Sequence, residues 1–181
     1  MGRNYYYFAA TLSLLIWEGK PPLAVNDFLA DAQRLMSFED YDLISALLAD
    51  DDRKYFLKTG NQAVCAWAEF DRTFRNETAW VRAQAAGKDP SVYLRGERGL
   101  EPRWSERIYE ASRASDPLAA EKILDFARWQ FLEELGAGHY FDFEFLMVYA
   151  LKLKILQRYQ KIHSSKGGEI LEEIKQLKIS V

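Results

Sequence analysis

Apolar positions along this chain recur mostly at three- and four-residue intervals, the period of helices that bury one face. The first apolar run, Tyr5 to Ile16, has no clean period and reads as helix or strand. Gly19-Lys20-Pro21-Pro22 ends it, because two prolines hold the backbone in extended or turn geometry. A helix is predicted from Val25 to Met36, with Phe28, Leu29, Ala32 and Leu35 on one face. Ser37 suits the next N-cap, with Asp40 in the capping-box position. The helix it opens presents Tyr41, Ile44, Leu47 and Leu48 and stops at the acidic run Asp50-Asp51-Asp52. From Asn61 to Ala86, Val64, Trp67, Phe70, Phe74 and Val81 again fall near helical spacing, and Gly87-Lys88-Asp89-Pro90 stops them. Ser91 to Pro102, with Gly96 and Gly99, is predicted as a long loop and as the segment best suited to move.

The strongest local signals follow. Asp116-Pro117 places an N-cap before a proline at the first helical position. Leu124, Ala127, Phe131 and Leu135 then line one face, and Gly136 supplies a stop. Asp142 opens a second long helix whose stripe is Leu146, Tyr149, Leu153 and Leu156, widened by Phe145, Val148, Ile155 and Tyr159. Two long helices joined by a short glycine-containing turn predict an antiparallel hairpin. A last short helix is predicted from Glu169 to Lys178, after Gly167-Gly168. Strand pairs and internal repeats are not signalled. The expected fold is all-α: a helical bundle in one domain over 1–181, with sub-units 1–58, 61–102 and 103–181.

Composition adds constraints. With 181 residues, 49% of them hydrophobic, the chain needs no disulfide or metal to hold a core. Its 14% aromatic content exceeds what a core alone requires and points to an interface, where Tyr and Trp concentrate. A net charge of -3 argues against a nucleic-acid binder. The lone Cys65 lies in an apolar stretch and is predicted to be a buried thiol, in keeping with a reducing compartment. Tyr5 to Trp17 resembles a secretory core in length, but its tyrosines and the missing small-residue cleavage site oppose that reading. It is also too short to span a bilayer. The expectation is a cytoplasmic protein, at most peripheral to a membrane.

The marks of common enzymes are missing. Neither a GxxxxGK[ST] loop nor a GxGxxG turn is present. His139 lies in the predicted turn and His163 far from it, so Cys and His cannot assemble a structural zinc site. Asp50, Asp51 and Asp52 lack the alternation and glycine of a calcium loop. Glu121 and Asp125, one helical turn apart, are expected to be exposed and to face water or a basic partner. Lys154, Arg158 and Lys161, with Lys152 nearby, give the last long helix a basic edge. That edge is either a solvated face or a docking strip for an acidic partner. No catalytic residue, cofactor site or metal ligand is predicted.

The segment Asp116–Arg158, DPLAAEKILDFARWQFLEELGAGHYFDFEFLMVYALKLKILQR, resembles an uncharacterised bacterial family encoded within V-type ATPase operons. YYYFAATLSLL and KPPLAVNDFLADAQRLMSFEDYDLI resemble it too, whereas Asn61 to Pro102 matches least. The hairpin is more distantly similar to the C subunit of archaeal-type V-ATPases, an all-helical funnel between rotor ring and central shaft. The resembling pattern is Asp116, Pro117, Glu121, Asp125 and Trp129 on one helix, then Leu146, Tyr149, Leu153 and Arg158 on the next. Tyr5, Tyr7, Leu14 and Leu15 match the opening of that subunit, but Ala9, Ala10 and Thr11 stand where it carries arginines. The C subunit has three such lobes and about twice the length. The resemblance implies a non-catalytic subunit or assembly partner of a bacterial V-type ATPase, with its subunits as partners. The alternative is a helical adaptor or regulator unrelated to the ATPase, acting by protein–protein contact, as a homodimer or otherwise.

Overall fold

Helix caps written into the sequence set most of the architecture. The computed structural model describes residues 3–49 and 60–163. Within them lie seven α-helices: α1 (Tyr6–Thr11), α2 (Val25–Leu35), α3 (Phe38–Leu48), α4 (Gln62–Ala85), α5 (Pro102–Ser112), α6 (Pro117–Leu135) and α7 (Phe143–His163). A 3-10 turn, Pro90–Tyr93, precedes α5. The protein is mainly α, and the described residues include no strand, only an isolated bridge between Asn4 and Asp142. No helix among them is long and apolar enough to cross a membrane. Asp50-Asp51-Asp52 and the helix expected from Glu169 to Lys178 lie outside the described residues.

Each cap satisfies N–H groups that the first helical turn leaves unpaired. The Asn61 side chain accepts from Val64 N at 3.0 Å. Asp116 accepts from Leu118 N and Ala119 N at 2.8 and 3.0 Å, with Pro117 behind it. Asp142 accepts from Phe145 N at 3.1 Å. Ser37 accepts from Asp40 N, but Asp40 does not close the capping box. Its carboxylate takes the Tyr5 hydroxyl instead, and that hydroxyl in turn accepts from Ser37 N at 3.3 Å. Aspartate is one methylene shorter than the glutamate the motif prefers, and Tyr5 fills the gap.

α7 is the centre of the molecule. It packs against α2, α3 and α6, so its buried surface exceeds one stripe: Leu146 through Leu151 are buried without interruption. α4 and α5 pack on each other and on α6. Contacts between α6 and α7 run in opposite order along the chain, Glu133 with Lys152 and Asp125 with Arg158. Gly136 ends α6 with φ -83°, so left-handed geometry is not its purpose. A Cβ there would meet Val148 Cγ1 at 3.2 Å; the glycine allows the two helices to approach.

Three aromatic groups fill the space between these layers. Phe70 stacks on Phe131 at 3.9 Å, with Trp104 edge-on to both. Phe28 lies between Phe8 and Tyr149. Trp17 meets Phe126, Trp129 and Tyr159 at 5.3, 5.5 and 6.0 Å. Trp17 opens the turn of residues 17–19 that follows a non-helical strap from Leu12, which resolves the ambiguous first run into a short helix followed by irregular chain. Along the strap Leu15 and Trp17 turn inward while Leu14 and Ile16 turn out, the two-residue period of extended backbone. Tyr149 donates its hydroxyl to Ser13 O at 3.1 Å, and Glu18 pairs with Lys122.

Three expectations are corrected. Leu35 is exposed at the end of α2 rather than on its inner face. Cys65 is exposed, because Val64, Trp67 and Ala68 take the inner face of α4 and leave position 65 outside it. Residues 102–112, assigned to no helix from the sequence, form α5, with Trp104, Ile108 and Ala111 buried. The loop expected over 91–102 is present after the 3-10 turn, and it is bonded to α4: Arg72 donates to Arg95 O and Glu97 O, Asn76 bonds Arg95 through both N–H and C=O, and Arg98 grips Glu77. Gly96 has φ +76°, and a Cβ on it would lie 2.9 Å from Arg72 Nη1.

Candidate functional site

Three surfaces hold chemistry outside the apolar core. The first lies where α4, α6 and α7 meet, a cavity of about 150 Å³ that includes Asp71, Arg75, Asp125, Arg128, Lys154 and Arg158 in its lining. Asp125 is 1% exposed, which overturns the expectation of an exposed carboxylate. It accepts from Arg128 at 3.0 Å and from Arg158. Burial pushes the Arg128 guanidinium below its usual range, and the neighbouring Asp125 and Asp71 carboxylates oppose that shift. Glu121 is half-buried and pairs with Arg82 at 3.0 Å and with Arg158. The carboxylates of α6 therefore have basic partners within the chain.

The expected basic edge divides among tasks. Arg158 spans α6 and α7, and Lys154 donates to Leu48 O at 2.8 Å, holding the C-terminal end of α3. Lys152 pairs with Glu133 and lies 4.8 Å from the Trp129 ring centroid. Lys161 is exposed near the end of α7. Of the other motif residues, Trp129, Leu146, Tyr149 and Leu153 are buried, and Asp116 and Pro117 start α6. Burial pushes the Tyr149 hydroxyl up to about 12.

The second surface is aromatic. Tyr5 N bonds Phe141 O, which brings α1 against the turn between α6 and α7. The Tyr6 and Phe141 rings then meet at 4.9 Å, each about half exposed. Tyr7, 90% exposed, and Tyr140, 67% exposed, adjoin them in sequence. Large rings left in water at meeting segments are uncommon on a surface without a contact role.

The third surface lies in the same turn. His139 Nδ1 is 2.6 Å from Asp142 Oδ2, and Glu144 completes a trio whose ligand atoms all lie within 4.8 Å of one another. Sequence reading placed His139 in the turn but did not connect it with either acid. The signal was the short interval from His139 to Glu144, which becomes a cluster only when a helix starts at Phe143. The side chain of His163 lies outside the described set.

A further groove, about 330 Å³, lies between α5 and α6 and includes Arg103, Trp104, Glu110 and Glu134 in its lining. Arg103 spans it with two bonds to Glu134 at 2.7 and 2.9 Å. Its lining has no nucleophile beside a base.

Residues 104–179 match a family described as a protein of unknown function, DUF2764. The match starts in α5 and takes in all of α6 and α7, so it covers the turn with His139 and the Asp125–Arg158 joint. No curated protein and no solved structure matches the chain.

Proposed function

We propose that this chain is a non-catalytic subunit or assembly partner of a bacterial V-type ATPase. In this reading it supplies part of what the C subunit supplies between rotor ring and central shaft. The observation that carries the contact role is the aromatic end formed by Tyr6, Tyr7, Tyr140 and Phe141. Tyrosine and phenylalanine rings give large contact area for few rotatable bonds and commonly anchor interfaces. The ATPase is chosen by the resemblance of Asp116–Arg158. Support comes from what the resembling residues do here: Asp125 and Arg158 join α6 to α7, Trp129 and Leu146 are buried, and Tyr149 ties α7 to Ser13 and Phe28. A pattern that specifies a packing unit is what two related helical lobes would share.

The test is affinity isolation of the tagged full-length protein from its native cells in mild detergent. The proposal expects V-type ATPase subunits to co-purify. Recovery without any of them, across several salt and detergent conditions, rejects it. A helical adaptor of another complex would use the same aromatic end, and sedimentation distinguishes a self-association. A stable dimer dispersed by Tyr6→Ala and Phe141→Ala would assign that surface to a second copy of the chain.

A further inference from the structure

We propose that His139, Asp142 and Glu144 bind one divalent transition-metal ion of the zinc class. The three side chains offer one imidazole nitrogen and two carboxylate oxygens within 4.8 Å of one another. Around a zinc ion with bonds of about 2.1 Å, neighbouring ligand atoms lie about 3.4 Å apart. Small side-chain rotations bring the wider pairs in, and His139 Nδ1 and Asp142 Oδ2, now in hydrogen-bond contact at 2.6 Å, part slightly to admit the ion. One nitrogen with two carboxylate oxygens suits zinc, manganese or cobalt better than the all-oxygen preference of calcium or magnesium.

The carboxylates are held from outside the trio. Asp142 Oδ1 is fixed by Phe145 N at 3.1 Å, which leaves Oδ2 directed at His139. Glu144 Oε1 accepts from Asn61 Nδ2 at 2.7 Å. Asn61 is itself fixed, since its oxygen caps α4 through Val64 N. One oxygen of each acid is thus anchored and the other serves as ligand, the arrangement by which outer partners orient metal ligands. Two carboxylates balance a dication. Three protein ligands leave a coordination place for water, as in open zinc sites.

In this molecule the ion takes the place of the direct hydrogen bond between His139 and Asp142. It binds the turn between α6 and α7 to α4 by way of Glu144 and Asn61. The same turn carries the Tyr5–Phe141 backbone bond, so the ion also steadies the base of the aromatic end. The inference stands whether or not the ATPase reading holds, since it rests on the geometry of the turn alone.

The experiment uses the full chain stripped of metal by a chelator. Cobalt(II) is titrated first, because its visible absorption reports coordination, and zinc is then added in competition. The proposal expects one cobalt per chain, displacement by zinc, and a saturable rise in the thermal midpoint with zinc. Asp142→Asn tests the site without losing the helix cap, since Asn caps as well as Asp. Glu144→Gln keeps an acceptor for Asn61. Each of these, and His139→Ala, should weaken zinc binding at least tenfold while the metal-free melting temperature changes little. Should a variant fail to fold, the nitrogen shifts of the two histidines in the wild-type protein decide, and His139 must move on titration. A near-ultraviolet thiolate-to-cobalt band would place the ion on Cys65 and overturn the proposal. So would unchanged affinity in all three variants, or millimolar binding with no defined stoichiometry, an adventitious ion only.

Discussion

Arg158, near the end of α7, reaches across to the buried carboxylate of Asp125 on α6. Arg128 approaches the same carboxylate from one helical turn away, so a single acid serves two guanidinium groups, of which Arg158 also reaches Glu121. Removing the acid and removing one base are therefore different operations. Asp125→Ala takes the nearest carboxylate from the largely buried Arg128, while Arg158 keeps Glu121, and it is expected to cost about 3 kcal/mol or more. Arg158→Met should cost clearly less, because Arg128 still pairs with Asp125 and Arg158 is half exposed. Urea denaturation measures both, and equal losses would contradict this account of the joint.

Leu153 faces the centre of the core with 0% exposure. Leu153→Ala should destabilise by about 2–5 kcal/mol, the range for a leucine whose cavity cannot collapse. Leu14 on the outward side of the strap is the contrast, with Leu14→Ala expected to stay within about 0.5 kcal/mol. Comparable losses at the two positions would refute the assignment of inner and outer faces.

Tyr149 gives an alkaline signature. Burial raises its ionisation to about 12, above the ordinary value of 10.0. Between those values the unfolded chain releases the proton and the folded chain keeps it, so the unfolded state is favoured as pH rises. The stabilising contribution is whole below pH 10 and fades toward 12. Tyr5, raised mainly by burial and then by its bond to Asp40, acts in the same direction. Stability measured from pH 9 to 12 should fall less steeply in Tyr149→Phe than in the parent, and parallel curves would rule out a role for this hydroxyl.

The aromatic end makes a prediction about partners. Tyr6→Ala with Phe141→Ala should change stability by no more than about 1–2 kcal/mol, as both rings are only about half buried. Dissociation from the partner recovered by affinity isolation should quicken at least tenfold, the behaviour of anchoring side chains. Lys161→Glu is the matching charge probe, expected to slow association at low salt and not at high salt. Lys154 is unsuitable for that purpose because its ammonium holds the end of α3. Unaltered dissociation in the aromatic double variant would remove this surface from the proposed contact.

What the sequence made legible was local. Ser37, Asp116 and Asp142 sit within three residues of the N–H groups they cap, so their roles could be read before any folding. The stripe of α7 was equally plain, because a helix surrounded by others repeats its apolar positions many times. α5 also carried its signal, a proline start with Trp104, Ile108 and Ala111 at helical spacing, but Gly96 and Gly99 just before it favoured a loop. Asp125 was misplaced because its burial depends on Arg158, 33 residues away and on another helix. The anchoring of 91–102 was hidden likewise, since Arg72, Asn76 and Glu77 are polar residues on an otherwise readable helix and their partners are backbone groups or a distant arginine. The trio around His139 was hidden even with Asp142 read as the cap of α7, because it depends on the path of the turn that brings His139 back onto Asp142.

The docking of Trp17 sets an order of events during synthesis. All three of its aromatic neighbours, Phe126, Trp129 and Tyr159, are translated long after it. At the usual rate of about 5–20 residues per second, the strap leaves the ribosome on the order of ten seconds before the surface that receives it exists. Leu12, Leu15 and Trp17 spend that interval in water or against whatever factor waits at the exit. Deleting the C-terminal helices would leave them in that condition permanently, so a truncated product should be captured by chaperones through its first residues rather than through its broken end.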